Sequence, residues 1–116
     1  MIKRIFGESI GRNISSAYKD LIWTVATSSD TSLDIVGQTR LTLKTIEHNL
    51  KELGSDKTRI ASAQIYISNM NYKSQMDIVW NEWVGDNPQN WPQRACLGVA
   101  LEGNTLVEIT VTAIRC

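Results

Sequence analysis

The chain has 116 residues, enough for one domain that buries its own hydrophobic core. Its 12 basic and 12 acidic residues balance, so it offers no basic surface for nucleic acid or anionic lipid. No apolar run approaches the roughly 20 residues of a membrane span, and the apolar stretch near the start is too short for a signal peptide. We therefore expect a cytoplasmic protein whose partner is a small molecule or another protein, not nucleic acid or a membrane.

The cysteine and histidine content excludes several kinds of site. Only Cys96 and Cys116 could form a disulfide, and their positions match neither a disulfide framework nor a metal-ligand spacing. His48 is the only histidine, so one chain cannot supply a histidine metal site, and this residue is expected on the helix surface without a catalytic role. We expect no metal.

Residues 2–28 contain short strand-like runs, from which we expect two or three strands. The clearest is the LIWTVA run at residues 21–26. Residues 34–53 then form a helical stripe of apolar positions, with Glu47 and Lys51 at i,i+4 spacing on the charged face. Ser32 or Asp34 could cap this helix, and Gly54 is suited to end it.

A strand followed by a second helix is predicted next. Residues 60–68 are rich in β-forming side chains, and Asn69 marks the turn that follows. A second helical stripe ends at Gly85 and the pair Asn87-Pro88. Its apolar members are Tyr72, Met76, Val79, Trp80 and Trp83.

Residues 94–114 are predicted to form a hairpin, because Glu102-Gly103-Asn104 separates two apolar runs. A three-residue loop places Gly98 opposite Glu108. Odd-numbered residues of both strands then face the core, while Arg94, Cys96 and Glu108 share the other face with small side chains. One domain with two helices cannot cover both sheet faces, so we expect an oligomer whose sheets pack together.

Two interpretations of Arg94 remain open at this point. Its planar guanidinium could bind a ligand carboxylate in a pocket that Glu108 also borders. Alternatively, Arg94 and Glu108 could form a structural ion pair. Cys96 is interpreted as a small buried apolar residue, because nothing nearby in the sequence would lower its pKa.

The C-terminal half resembles the Rid (YjgF-type) family of reactive-intermediate deaminases. The resemblance rests on the segments SNMNY, MDIVWNEWV, WPQRAC and LVEITVTAI within residues 60–114, and extends more weakly over the first helix and GSDKTRI. It implies a single α+β domain over residues 1–116 with a chorismate-mutase-like fold: a mixed sheet of about six strands with two helices packed on one face. It also implies a homotrimer with pockets between subunits.

The resemblance implies a deaminase that hydrolyses a small carboxylate-bearing enamine or imine to a 2-oxo acid and ammonia, without a cofactor. By position, Arg94 matches the arginine that binds the substrate carboxylate, and Glu108 matches the glutamate associated with the attacking water. Cys96 matches a cysteine whose backbone lines the pocket, and Trp91 takes the place of a phenylalanine.

The chain departs from the deaminase pattern at three places. GRNISSAY replaces a Gly-Pro-Tyr-Ser element, so that Tyr18 is displaced, and Val25-Ala26-Thr27 replaces a Ser-Gly-Gln motif. Asp77 stands where an asparagine is common. Ala26 and Asp77 are therefore expected to contribute to substrate binding in a pocket of altered shape and charge. The alternative function is a non-catalytic trimeric protein that binds small carboxylate metabolites.

Overall fold

The computed structural model describes residues 1–115, so Cys116 lies outside the described part of the chain. Within residues 1–115 two α-helices, α1 (Ile35–Glu52) and α2 (Lys73–Val84), accompany a six-stranded sheet whose strand order is β1-β2-β3-β6-β4-β5. Among the described strands only β4 and β5 pair in parallel; the other neighbours are antiparallel. The strands are β1 (Lys3–Ile5), β2 (Ser15–Tyr18), β3 (Leu21–Thr27), β4 (Ile60–Ile67), β5 (Gln93–Gly98) and β6 (Val107–Ile114).

Helix α1 begins and ends where its sequence predicts. The carboxylate of Asp34 accepts a hydrogen bond of 2.9 Å from the backbone N–H of Gly37, which satisfies one free donor of the first turn. At the other end Gly54 has a φ of +84°, and the backbone N–H groups of Gly54 and Ser55 donate to the last turn of the helix. This is the Schellman arrangement, in which a glycine tolerates the left-handed backbone. The predicted pair of Glu47 and Lys51 is also present, at 3.3 Å.

The helices and one sheet face enclose the hydrophobic core. Alternate residues of the central strands are buried on this face, which also contacts the apolar stripes of α1 and α2. The predicted odd-numbered core face of β6 is confirmed, because its four odd-numbered residues are at most 3% exposed. The four are Val107, Ile109, Val111 and Ala113.

The hairpin prediction for residues 94–114 is wrong, because β4 lies between β5 and β6. The two strands do run antiparallel, but each pairs with β4: Cys96 and Ile109 are both aligned with Ile65. The connection from β5 to β6 must cross two strand spacings of about 4.8 Å each to pass over the end of β4. Its eight residues, from Val99 to Leu106, are long enough to do so. Local turn signals do not distinguish this wide connection from a tight hairpin.

The wrong strand pairing also changes the predicted faces of β5. Leu97 and Val99, expected in the core, are 48% and 43% exposed. The partners in β4 show why: Arg94 aligns with the fully buried Ala63, so Arg94 points to the helix side of the sheet. Glu108 aligns with Tyr66 and Thr27 on the open side. Arg94 and Glu108 therefore lie on opposite faces of the sheet within one chain.

A buried glutamine joins the start of α1 to the connection between β5 and β6. The Gln38 amide donates to the carbonyl groups of Leu33 and Asn104, each at 3.0 Å, and accepts from the backbone N–H of Leu106 at 2.9 Å. Its side chain is fully buried. These bonds therefore tie part-buried backbone groups of the connection to the segment that precedes α1.

Candidate functional site

Arg94 lies at the start of β5 and is held by two residues of α2. Its Nη1 donates to Oδ1 of Asp77 at 2.8 Å, and its guanidinium carbon lies 5.5 Å from the centre of the Trp80 ring. Asp77 and Trp80 are three residues apart, so they share one side of the helix. Because the Arg94 side chain is only 20% exposed, this guanidinium is well fixed beneath the protein surface.

Asp77 is shared by two cations. Its second oxygen, Oδ2, accepts a hydrogen bond of 2.8 Å from Nζ of Lys73, one helical turn earlier. Burial by itself would raise the pKa of Asp77, but the hydrogen bonds and positive charges of Lys73 and Arg94 outweigh it, so the pKa lies below its ordinary value. Asp77 is therefore a carboxylate at neutral pH, and the cluster has a net charge of one positive unit.

A cavity of about 470 Å³ opens beside the Arg94–Asp77 pair. This volume is in the range that suits a small-molecule ligand. The indole N–H of Trp91 donates to the carbonyl of Gly85 at 2.8 Å and so fixes one wall, although the Trp91 side chain remains half exposed. The lining residues are Asp77, Trp80, Asn81, Val84, Gly85, Asp86, Trp91, Pro92 and Arg94.

Cys96 faces the same side of the sheet as Arg94 and packs against the edge of the core. Burial raises the pKa of its thiol, and the nearby charges of Arg94 and Lys73 do not offset that effect. The thiol is thus protonated at neutral pH.

The remaining predicted site residues lie away from this cluster. Ala26 is 7% exposed and belongs to the hydrophobic core, so its side chain does not reach the cavity. Glu108 is half-buried on the open sheet face, which also carries the exposed Trp23 and a second, smaller depression of about 300 Å³. The structure thus brings Arg94, Asp77 and Trp91 to one cavity. Cys96 lies on the same sheet face but outside the cavity lining, and Glu108 lies on the opposite face.

Two residues of the cluster were not predicted as site residues. Trp80 was assigned to the core stripe of α2, yet the same ring contacts Arg94. The local signal for Lys73 is its i,i+4 spacing to Asp77, which predicts an ion pair on a helix. The structural ion pair considered for Arg94 exists, but its partner is Asp77 and not Glu108.

Comparison with known proteins gives a consistent assignment. Residues 24–115 match the model of the family described as Endoribonuclease L-PSP. A RutC family protein from Haemophilus ducreyi is 38% identical over 86 residues, covering 73% of this chain and 72% of the relative. The crystal structure of a YjgF-family protein from Neisseria meningitidis has a TM-score of 0.91 and 29% identity, covering 100% of this chain and 96% of the other.

These matches define a class of small α+β proteins with the chorismate-mutase-like fold, the fold expected from the sequence. The chain belongs to the YjgF (Rid) family. Within residues 1–115, neither helix is long and apolar enough to cross a membrane. Over the same residues, no three acidic, cysteine or histidine side chains converge as a metal site would require.

Proposed function

We propose that the protein is a deaminase that hydrolyses a small carboxylate-bearing enamine or imine to a 2-oxo acid and ammonia. The observation that carries this proposal is a fixed guanidinium at the wall of a ligand-sized cavity. Within residues 1–115 the guanidinium of Arg94 donates a single hydrogen bond, to Asp77. Its other N–H groups can therefore bind the two oxygens of a substrate carboxylate.

The reaction needs little beyond positioning. In a 2-imino acid the C=N carbon is already electrophilic, so water adds to it, and the resulting carbinolamine loses ammonia to leave the C=O of the 2-oxo acid. Arg94 would hold the carboxylate, and Glu108 would accept a proton from the attacking water. Trp91 and the backbone of Cys96 would shape the pocket, and no cofactor takes part.

A site that contains both Arg94 and Glu108 requires two chains, because the two residues lie on opposite sheet faces. We propose a homotrimer in which the Glu108 of one chain reaches the Arg94 of the next. The exposed apolar side chains of the sheet support an assembled form, among them Leu21, Trp23 and Leu97. Sedimentation should then give three times 13.0 kDa, about 39 kDa. We place the assembly in the cytoplasm.

The test is release of 2-oxo acid from imino acids generated in the assay by an amino-acid oxidase. We expect Arg94→Ala and Glu108→Gln each to reduce kcat/KM by at least about 100-fold, because one removes the carboxylate contact and the other the base. Arg40→Ala, which removes an exposed arginine on α1, is the matched control and should leave the rate unchanged. Parental activity in Arg94→Ala would refute the assignment.

The alternative function is a non-catalytic trimer that binds small carboxylate metabolites. The specific observation in its favour is that Arg94 already contacts an internal carboxylate, which competes with a substrate for the guanidinium. Titration with 2-oxobutyrate and pyruvate beside the turnover assay distinguishes the two functions. Saturable binding without any 2-oxo acid release favours the binding protein.

The family description also names a ribonuclease activity. The balanced charge of this chain does not favour it, because contact with a phosphate backbone relies on clustered lysine and arginine. We therefore propose no nucleic-acid partner. Degradation of a single-stranded RNA by the purified protein, abolished by a site substitution, would contradict this.

A further inference from the structure

Asp77 occupies an unusual place for a carboxylate in a site that would bind anions. Its Oδ1 lies 2.8 Å from Nη1 of Arg94, and the two residues line the same cavity. A ligand carboxylate on the remaining N–H groups of Arg94 would lie within a few ångströms of this negative charge. At such distances like charges repel measurably, even in a partly hydrated site.

We propose that Asp77 determines the charge selectivity of the Arg94 site by weakening its affinity for simple monocarboxylates. The inference rests on the proposed role of Arg94 as the carboxylate-binding residue and deepens it. Lys73 weakens the repulsion between Asp77 and a ligand carboxylate, because its ammonium group lies 2.8 Å from Oδ2 of Asp77 and partly neutralises that carboxylate. Ligands that carry a positive group beside their carboxylate would lose the least affinity, because Asp77 attracts that group.

The charge of Asp77 can be separated from its hydrogen bond. In Asp77→Asn the amide oxygen can still accept from Arg94, so the guanidinium keeps its position while the negative charge is removed. A purely structural role for Asp77 predicts no gain in ligand affinity from this change. Charge selectivity predicts that a monocarboxylate binds more tightly.

The measurement is calorimetric titration of the full chain with 2-oxobutyrate. We expect Asp77→Asn to lower the Kd about fivefold, the size of a partly exposed ion-pair interaction. In the double variant with Arg94→Ala the gain should vanish. Asp86→Asn is the matched control, because it removes the same charge from an exposed residue of the same cavity that does not contact Arg94, and its effect should be much smaller.

A second variant moves the affinity in the opposite direction. Lys73→Met removes the cation that shares Asp77, so Asp77 should interact more strongly with Arg94, and the Kd for 2-oxobutyrate should rise. A loss of folding would affect both variants alike, whereas opposite shifts from Asp77→Asn and Lys73→Met follow from charge. Far-UV circular dichroism of each variant confirms the fold.

The outcomes distinguish this inference from the proposed function. If Arg94→Ala weakens binding but Asp77→Asn leaves it equal or weaker, Arg94 keeps its role and the selectivity inference is overturned. Equal gains from Asp77→Asn and Asp86→Asn overturn it as well, because the effect would then be general to the cavity. If Arg94→Ala binds 2-oxobutyrate as the parent does, or no form binds it, the role of Arg94 fails and the inference fails with it.

Discussion

The buried amide of Gln38 binds the connection that follows β5, the strand that carries Arg94. Replacing Gln38 tests how much this connection contributes to the stability of the fold. Gln38→Ala removes three hydrogen bonds of 2.9 to 3.0 Å, to Leu33, Asn104 and Leu106. The three backbone groups are part-buried and can in part bind water instead, so each lost bond costs about 0.5 to 1 kcal/mol. The missing side chain also leaves a cavity, so we expect a loss of about 3 kcal/mol in the free energy of unfolding.

Urea denaturation followed by circular dichroism measures this loss, with all forms at one protein concentration because assembly affects apparent stability. At about 4 °C per kcal/mol, Tm should fall by about 12 °C. Gln75→Ala, on the exposed face of α2, is the control and should change stability by less than about 0.5 kcal/mol. A loss below about 1 kcal/mol for Gln38→Ala would show that the loop does not depend on this amide.

Two further predictions concern titrating groups near Arg94. The folded-state pKa of Asp77 lies below its ordinary value of 3.8, so its stabilising contribution is complete above that pH and is lost as the pH falls further. The stability difference between the parent and Asp77→Asn should therefore shrink in acid, and a difference independent of pH would contradict the ion pair. The raised pKa of Cys96 predicts slow alkylation of its thiol by iodoacetamide at pH 7. The reaction should be slower still in Arg94→Ala, because the positive charge of Arg94 lowers the pKa of Cys96 in the parent. Peptide mass mapping of Cys96 measures the rate, and a fast reaction in the parent would exclude a protonated thiol.

Local features of the sequence predicted the separate elements well. The cap at Asp34, the ending at Gly54 and the stripes of both helices depend on neighbours within a few residues, and the structure has them. The burial of alternate residues in β6 follows from the same local pattern. Such features are readable because a helix or a strand has a fixed period.

The order of the strands in the sheet cannot be predicted from such local patterns. The apolar runs around Gly103 fit a hairpin, but the insertion of β4 between them depends on pairings 31 to 53 residues apart in sequence. A hairpin places Arg94 on the same sheet face as Glu108, whereas the observed strand order places the two residues on opposite faces. The actual partner, Asp77, lies on α2, and only the three-dimensional packing of α2 against β5 brings the two together.

The position of β5 at the end of the sheet has a dynamic consequence for the site. In the described part of one chain this strand pairs with another strand on one side only, in parallel with β4. Segments with few such bonds open locally at lower free energy than central strands do. Any such opening would move Arg94 and break its contacts with Asp77 and Trp80, so these contacts stabilise the paired strand. The free energy of ligand binding would then include the cost of keeping β5 paired with β4. A second chain docked along β5 would lower this cost and so increase ligand affinity without contacting the ligand.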